Sequence, residues 1–368
     1  PMTKLHDLFQ QQGQSPWLDN LRRDWIQDGT LQGWIDKGVR GVTSNPSIFQ
    51  KAMMSGDAYD AQFGELVGAG KTVDEAYWSM VDTDIRDALR LLRPVHDESG
   101  GNDGFVSLEV APDLARETVA TTDAARRFHE EIAEPNLMIK IPGTAAGLPA
   151  IRDMHVEGRN INVTLIFGLP RYVEVMNAYL DGVEAFVDGG GDPSVVNGVA
   201  SFFISRVDSE VDKRLQAIGS SEALLLRGKA AVAQGKLAYE LFRETFSGER
   251  WEHLAAKGAK VQRPLWASTS TKNPAYPKTL YVDTLIGPDT VNTMPEGVLD
   301  EFEAIGTVAR TVDDGLAEAH EVFDRLAKVG VDMDDVARVL EDEGVASFSK
   351  AFDDLSADLD AKAAKLEA

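Results

Sequence analysis

Short apolar or alternating segments recur along the chain, each followed by a stretch with helical periodicity. The strand candidates are Trp17–Asp19, Val39–Thr43, Phe105–Val110, Leu137–Ile141, Ile161–Phe167, Val199–Ile204, Pro264–Ser268 and Leu280–Leu285. Between them, Thr72–Leu92, Asp113–Ala133, Leu169–Val187 and Leu224–Phe246 carry apolar positions at helical spacing. Eight strands alternating with helices predict an α/β fold, a single (β/α)8 TIM barrel with strands over about 16–286. A doubly wound open sheet is the rival, but it prefers a glycine-rich phosphate turn after an early strand, and none is present.

The loops carry turn and cap chemistry. Thr43-Ser44-Asn45-Pro46, Pro142-Gly143-Thr144, Gly168-Leu169-Pro170 and Gly287-Pro288 each follow a strand candidate, and Pro46 and Pro170 suit first-turn helix positions. C-terminal helices are expected over about 296–368, with an acidic tail from Thr307 that breaks at Gly330 and Gly344. That tail should pack on the barrel or on a partner subunit. No linker rich in Gly, Pro or Ser divides residues 1–368, so one domain is expected. Pro1-Met2 reads as a processing remnant and is left out of the fold reading.

Composition narrows the chemistry. There are no cysteines, which excludes disulfides, thiolate metal sites and cysteine nucleophiles, and suits a cytoplasmic protein. The six histidines are scattered without metal-ligand spacing, so a mechanism with no metal and no cofactor is expected. No run approaches the ~18 uncharged apolar residues of a membrane helix, and no signal-peptide pattern opens the chain. The formal net charge of −23 argues against nucleic acid as a partner. It also means that an anionic substrate would need a local cluster of cations.

Lys140 interrupts the apolar strand Leu137-Met138-Ile139-Lys140-Ile141. A buried ammonium is costly, and a lysine made neutral by burial is a nucleophile. An edge-strand lysine snorkelling to water would give the same segment. Two other strands alternate in the same way. Asn162 and Thr164 share a face against Ile161, Val163 and Leu165, and Ser107 and Glu109 share one against Val106, Leu108 and Val110. Either face could point to water in an open sheet. In a barrel the outer face is covered by helices, so the polar face points inward and converges on a site. Asp19 reads first as a helix cap, and Thr43 and Asn45 read equally as turn and cap residues. Arg206 and Lys272 follow the sixth and seventh strand candidates, where cations on neighbouring loops would suit a phosphate.

Gly41-Val42-Thr43-Ser44-Asn45-Pro46-Ser47-Ile48-Phe49 and Leu137-Met138-Ile139-Lys140-Ile141-Pro142-Gly143-Thr144-Ala145-Ala146-Gly147-Leu148 resemble the two signature segments of the transaldolase family. The resemblance extends from Asp19 to about Leu285. It implies transfer of a dihydroxyacetone unit from sedoheptulose 7-phosphate to glyceraldehyde 3-phosphate, a reaction of the pentose phosphate pathway. It further implies that Lys140 is the Schiff-base lysine and that Asp19 moves the proton of the C4 hydroxyl. Glu109 and Thr164 match the pair that activates a catalytic water. Asn45, Asn162 and Ser201 match groups that hold the dihydroxyacetone unit, with Thr43 close by, and Arg206 matches a phosphate-binding arginine.

The chain departs from the family after the seventh strand. Many members carry Ser-Phe-Arg-Asn there, whereas this chain reads Ala267-Ser268-Thr269-Ser270-Thr271-Lys272-Asn273, so Lys272 is expected to replace a second arginine. Two alternatives stay open: a fructose 6-phosphate aldolase and a catalytically silent sugar-phosphate-binding barrel. Glu109, and Phe203 where a tyrosine would favour aldolase chemistry, speak for transfer. Both a monomer and a homodimer are compatible with the resemblance.

Overall fold

The structure is a computed structural model that describes residues 1–368. Eight parallel strands close a barrel in chain order. They are β1 (Gln14–Asp19), β2 (Gly41–Thr43), β3 (Phe105–Glu109), β4 (Leu137–Pro142), β5 (Ile161–Ile166), β6 (Gly198–Phe203), β7 (Arg263–Ala267) and β8 (Thr290–Met294). β8 pairs back onto β1, which excludes the open sheet. Every residue of β4, β5 and β6 is buried, as expected of parallel strands with helices outside and side chains filling the centre.

The eighth strand is not where the apolar run places it. Leu280–Asp283 is a helical turn, and the strand is Thr290–Met294. The run is buried for another reason: Tyr281, Val282, Leu285 and Ile286 fill the core, with the Tyr281 hydroxyl donating to Asp208 at 2.5 Å. The true strand is polar, and its polar groups are satisfied inside the protein. Thr290 donates to the Gly287 carbonyl at 2.6 Å and Asn292 accepts from Thr269 at 2.9 Å. Gly287-Pro288 therefore precedes β8 at the opposite barrel end from the other three turns.

Alternation in β5 holds through Thr164 and then breaks. One extra residue is accommodated between Val163 and Ile166 against β6, and Leu165 adopts φ 59°. This is a bulge that re-aims the strand end. Leu165 consequently leaves the face of Ile161 and Val163 and meets the C-terminal helix instead. The expected helix Leu224–Phe246 is two, Ser221–Leu225 and Ala230–Thr245, separated at the left-handed Gly228 (φ 73°).

The tail packs on its own barrel. A helix over Leu316–Val329 ends at left-handed Gly330, as expected. Gly344, by contrast, lies inside the 35-residue helix Met333–Glu367. A Cβ there would sit 3.0 Å from Leu165 Cδ2 and 3.4 Å from Phe167 Cζ, so this glycine serves close approach rather than helix termination. The helix crosses the C-terminal end of the strands against helices Pro46–Met54, Val73–Glu98 and Ser205–Ile218. Ion pairs fasten it to three successive parts of the rim: Arg116 to Asp342 (2.6 Å), Arg171 to Glu341 (2.8 Å) and Arg214 to Asp335 (2.8 Å). No helix is long and apolar enough to cross a membrane.

Candidate active site

The C-terminal ends of the strands surround a cavity of about 150 Å³. Asp19, Thr43, Asn45, Lys140, Thr164, Ser201, Phe203, Arg206, Ser268 and Lys272 all line it. Lys140 is 5% exposed, and its Nζ donates to the Ser44 carbonyl at 3.0 Å. It is an inward-facing residue with no carboxylate in salt-bridge contact, not a snorkelling edge lysine. Glu109 lies opposite Lys140 in the β3–β4 register, and Asn162 lies opposite it in the β4–β5 register.

Asp19 is not a cap. Its Oδ1 accepts from Thr43 Oγ1 at 2.8 Å, and Thr43 in turn lies 2.6 Å from Thr293 Oγ1. Burial pushes the Asp19 carboxyl up, and Lys140 and Thr43 pull it back down. Asn45 does cap: its Oδ1 accepts from Ile48 N at 2.9 Å, which fixes its side chain at the cavity edge. Beneath the cavity, Ser201 donates to Asn162 Oδ1 at 2.7 Å and Asn162 donates to Ser107 at 3.1 Å. Asn162 is thus held by strands on both sides and keeps a fixed orientation.

Glu109 is a strongly perturbed carboxyl at the site. It is buried, and neither of its oxygens has a hydrogen-bond partner in the protein. Burial pushes its pKa up to about 7, with Lys140 opposing the shift and Asp19 adding to it. Thr164 Oγ1 is likewise buried and unpartnered. Two groups that nothing satisfies, on β3 and on β5, flank the lysine on β4.

The cations gather at one side of the mouth. Arg206 forms no ion pair, and its guanidinium lies 5.1 Å from the centre of the Phe203 ring. Burial pulls its pKa down, and Asp19 and Glu343 pull it up. Lys272 donates to Ser270 Oγ at 2.7 Å and is exposed at the rim. Its pKa is lowered by partial burial and then by its neighbours Arg206 and Lys51. This is the local cationic field that a chain of net charge −23 would need for an anion.

Six cavity residues were not among the candidates from the sequence: Ala267, Thr269, Ser270, Thr293, Pro295 and Phe348. Thr293 was hidden by the misplaced eighth strand. Phe348 comes from the terminal helix, where its spacing with Leu340, Leu355 and Leu359 marks a buried face but not what that face covers. A larger cavity of about 950 Å³ opens at the other end of the barrel, beside Arg40, Asp103, Lys260 and Arg263. Nowhere in the chain do three or more His, Asp or Glu residues form a group that could hold a metal ion.

Comparison with known proteins bears on this arrangement. Residues 16–359 match the sequence model of the transaldolase/fructose-6-phosphate aldolase family. The chain is 49% identical over 358 residues to a transaldolase of Mycolicibacterium smegmatis, covering 97% of this chain and 96% of that protein. It is 51% identical over 346 residues to transaldolase 1 of Streptomyces avermitilis, covering 94% and 92%. A transaldolase of Mycobacterium tuberculosis is 50% identical over 346 residues, covering 93% of both chains.

Proposed function

The chain belongs to the transaldolase/fructose-6-phosphate aldolase family, and we propose that it is a transaldolase in which Lys140 carries a three-carbon unit between sugar phosphates as a Schiff base. The observation that carries this reading is the buried Lys140 amine at the end of β4, flanked by Asp19 and Glu109, with Arg206 and Lys272 across the same cavity. Sedoheptulose 7-phosphate and glyceraldehyde 3-phosphate give erythrose 4-phosphate and fructose 6-phosphate.

The steps follow from the placement of the groups. Lys140 adds to the ketose C2 carbonyl and loses water, giving an iminium. Asp19 takes the proton of the C4 hydroxyl as the C3–C4 bond breaks, and the C3 electron pair is delocalised into the iminium as an enamine. The acceptor aldehyde then takes C3, and its oxygen takes the proton back. Glu109, held near neutrality by burial, can both give and accept a proton at physiological pH, and with Thr164 it would orient the water that leaves and re-enters at C2. Asn45, Asn162, Ser201 and Thr43 offer hydrogen bonds to the hydroxyls of the three-carbon unit. Phe203 and Ser268 line the approach, and Arg206 and Lys272 meet the phosphate.

Two measurements test the reading. Fructose 6-phosphate with erythrose 4-phosphate should yield sedoheptulose 7-phosphate; free dihydroxyacetone as the main product would mark an aldolase, and no turnover a silent barrel. Single-turnover mass spectrometry separates the carboxylates. Asp19→Ala should accumulate the whole-sugar adduct on Lys140, whereas Glu109→Ala should slow the appearance of any adduct, each by about 10²–10⁴-fold. A three-carbon adduct accumulating in Asp19→Ala would remove Asp19 from the cleavage step.

A further inference from the structure

The cavity is lined mostly by polar groups, yet two aromatic side chains enter it. Phe203 comes from a barrel strand. Phe348 comes from the terminal helix, far along the chain, and is 5% exposed. Its position is set from both sides along one helix face. One turn earlier, Gly344 lets the helix press onto Leu165, where an added Cβ would come within 3.0 Å of Leu165 Cδ2 and 3.5 Å of Arg206 Nη1. One turn later, Phe352 packs edge-on against Tyr77 at 5.3 Å and borders the small cleft beside Glu109. Gly344, Phe348 and Phe352 thus run from the cationic side of the mouth to the general-acid/base side. The ion pairs from Arg116, Arg171 and Arg214 hold the preceding turns of the helix, at Asp335, Glu341 and Asp342, against the loop after β3 and the helices after β5 and β6. Phe348 therefore forms part of the cavity wall.

We infer that Phe348 is a specificity-determining residue that keeps water from the bound enamine, so that transfer to an aldehyde outruns release of dihydroxyacetone. The inference rests on the Lys140 intermediate proposed above. That enamine has two fates. In transfer, C3 forms a bond to the aldehyde carbon and the aldehyde oxygen takes a proton. In release, C3 takes a proton derived from water, a second water adds at C2, and the C2–nitrogen bond breaks to give free dihydroxyacetone and the lysine amine. Both fates end with one water adding at C2 to free the same lysine, and only release also needs a water-borne proton delivered to C3. An apolar ring at the mouth offers water no hydrogen bond and leaves the polar groups below to the sugar.

The test measures both products in one reaction of fructose 6-phosphate with erythrose 4-phosphate. In Phe348→Ala the ratio of free dihydroxyacetone to sedoheptulose 7-phosphate should rise by about tenfold or more, while adduct formation on Lys140 persists. Phe348→Leu keeps an apolar side chain and should give a smaller rise. A purely structural role would lower both products together and leave the ratio at the wild-type value; that result overturns the inference. If Phe348→Ala does not fold, Phe348→Leu decides alone, and an unchanged ratio in that folded variant sinks the idea. The two readings fail separately: a wild-type enzyme without adduct on Lys140 refutes the proposed function, whereas normal adduct with unchanged partition refutes only the role of Phe348.

Discussion

The two ends of this barrel are both polar, and they use their charged groups in opposite ways. At the N-terminal end of the strands, the buried Asp103 carboxylate is saturated. It accepts from Ser15 at 2.5 Å, Trp17 Nε1 at 2.8 Å, Arg40 at 2.8 Å and Arg263 at 3.4 Å. At the C-terminal end, Glu109 and Thr164 have no partner, Arg206 has no ion pair, and Lys140 has only a carbonyl. The larger cavity lies at the saturated end and the smaller one at the unsatisfied end. Size is therefore the wrong guide to the site. Unpaired buried charges cost stability, and in this barrel they gather where a substrate would satisfy them.

Four substitutions test that contrast. The largest stability effect should come from the saturated end. Asp103→Ala strands Arg40 and Arg263 without their carboxylate and should cost about 3–5 kcal/mol, read as a fall in the urea midpoint. The fraction that remains folded should keep the wild-type KM. An unchanged midpoint would show that this network does not bear on stability.

At the unsatisfied end, neutralising a carboxylate should stabilise. Burial raises the Glu109 pKa from 4.5 to about 7, so the folded state holds a proton that the unfolded chain has already lost. The stability this group contributes is full below its unfolded pKa and is lost as pH rises through about 7. Glu109→Gln is neutral throughout and should exceed the wild type by up to roughly 3 kcal/mol near pH 9, with no difference near pH 4. Its turnover should fall even as its melting temperature rises. Equal stability at both pH values would mean that Glu109 is not desolvated.

The smallest effects belong to the phosphate side. Arg206→Ala should raise KM for phosphorylated sugars by about 1.5–3 kcal/mol, with far less effect on unphosphorylated dihydroxyacetone as donor. Lys272 is exposed and screened by solvent, so Lys272→Ala should fall at or below the lower bound. If Lys272→Ala leaves KM for fructose 6-phosphate unchanged, a different cation takes the place of the second arginine.

The same contrast explains what could be read from the chain. Lys140, Glu109, Asn162 and Thr164 were legible because a barrel strand alternates strictly, and a polar residue on the inner face has no bland explanation once helices cover the outer one. β8 was not legible. Its inner polar groups are matched by partners such as Thr43 and Thr269, while the apolar run before it belongs to a helical turn. Asp19 reads first as a cap, and only its hydrogen bond from Thr43 decides against that. Gly344 had the composition of a helix break and the function of a close contact, a distinction that depends on the side chains across from it. Phe348 was out of reach for the same reason: a helical pattern tells which face is buried, not which strands lie beneath.

Lys140 is proposed as the group left free to form a covalent bond with the substrate. The direct measurement is borohydride reduction of the enzyme with fructose 6-phosphate, followed by peptide mass mapping. One reduced three-carbon adduct is expected, on the peptide containing Lys140, and it should disappear in a folded Lys140→Met variant. An adduct on any other lysine, or none in an enzyme that turns over, would contradict it.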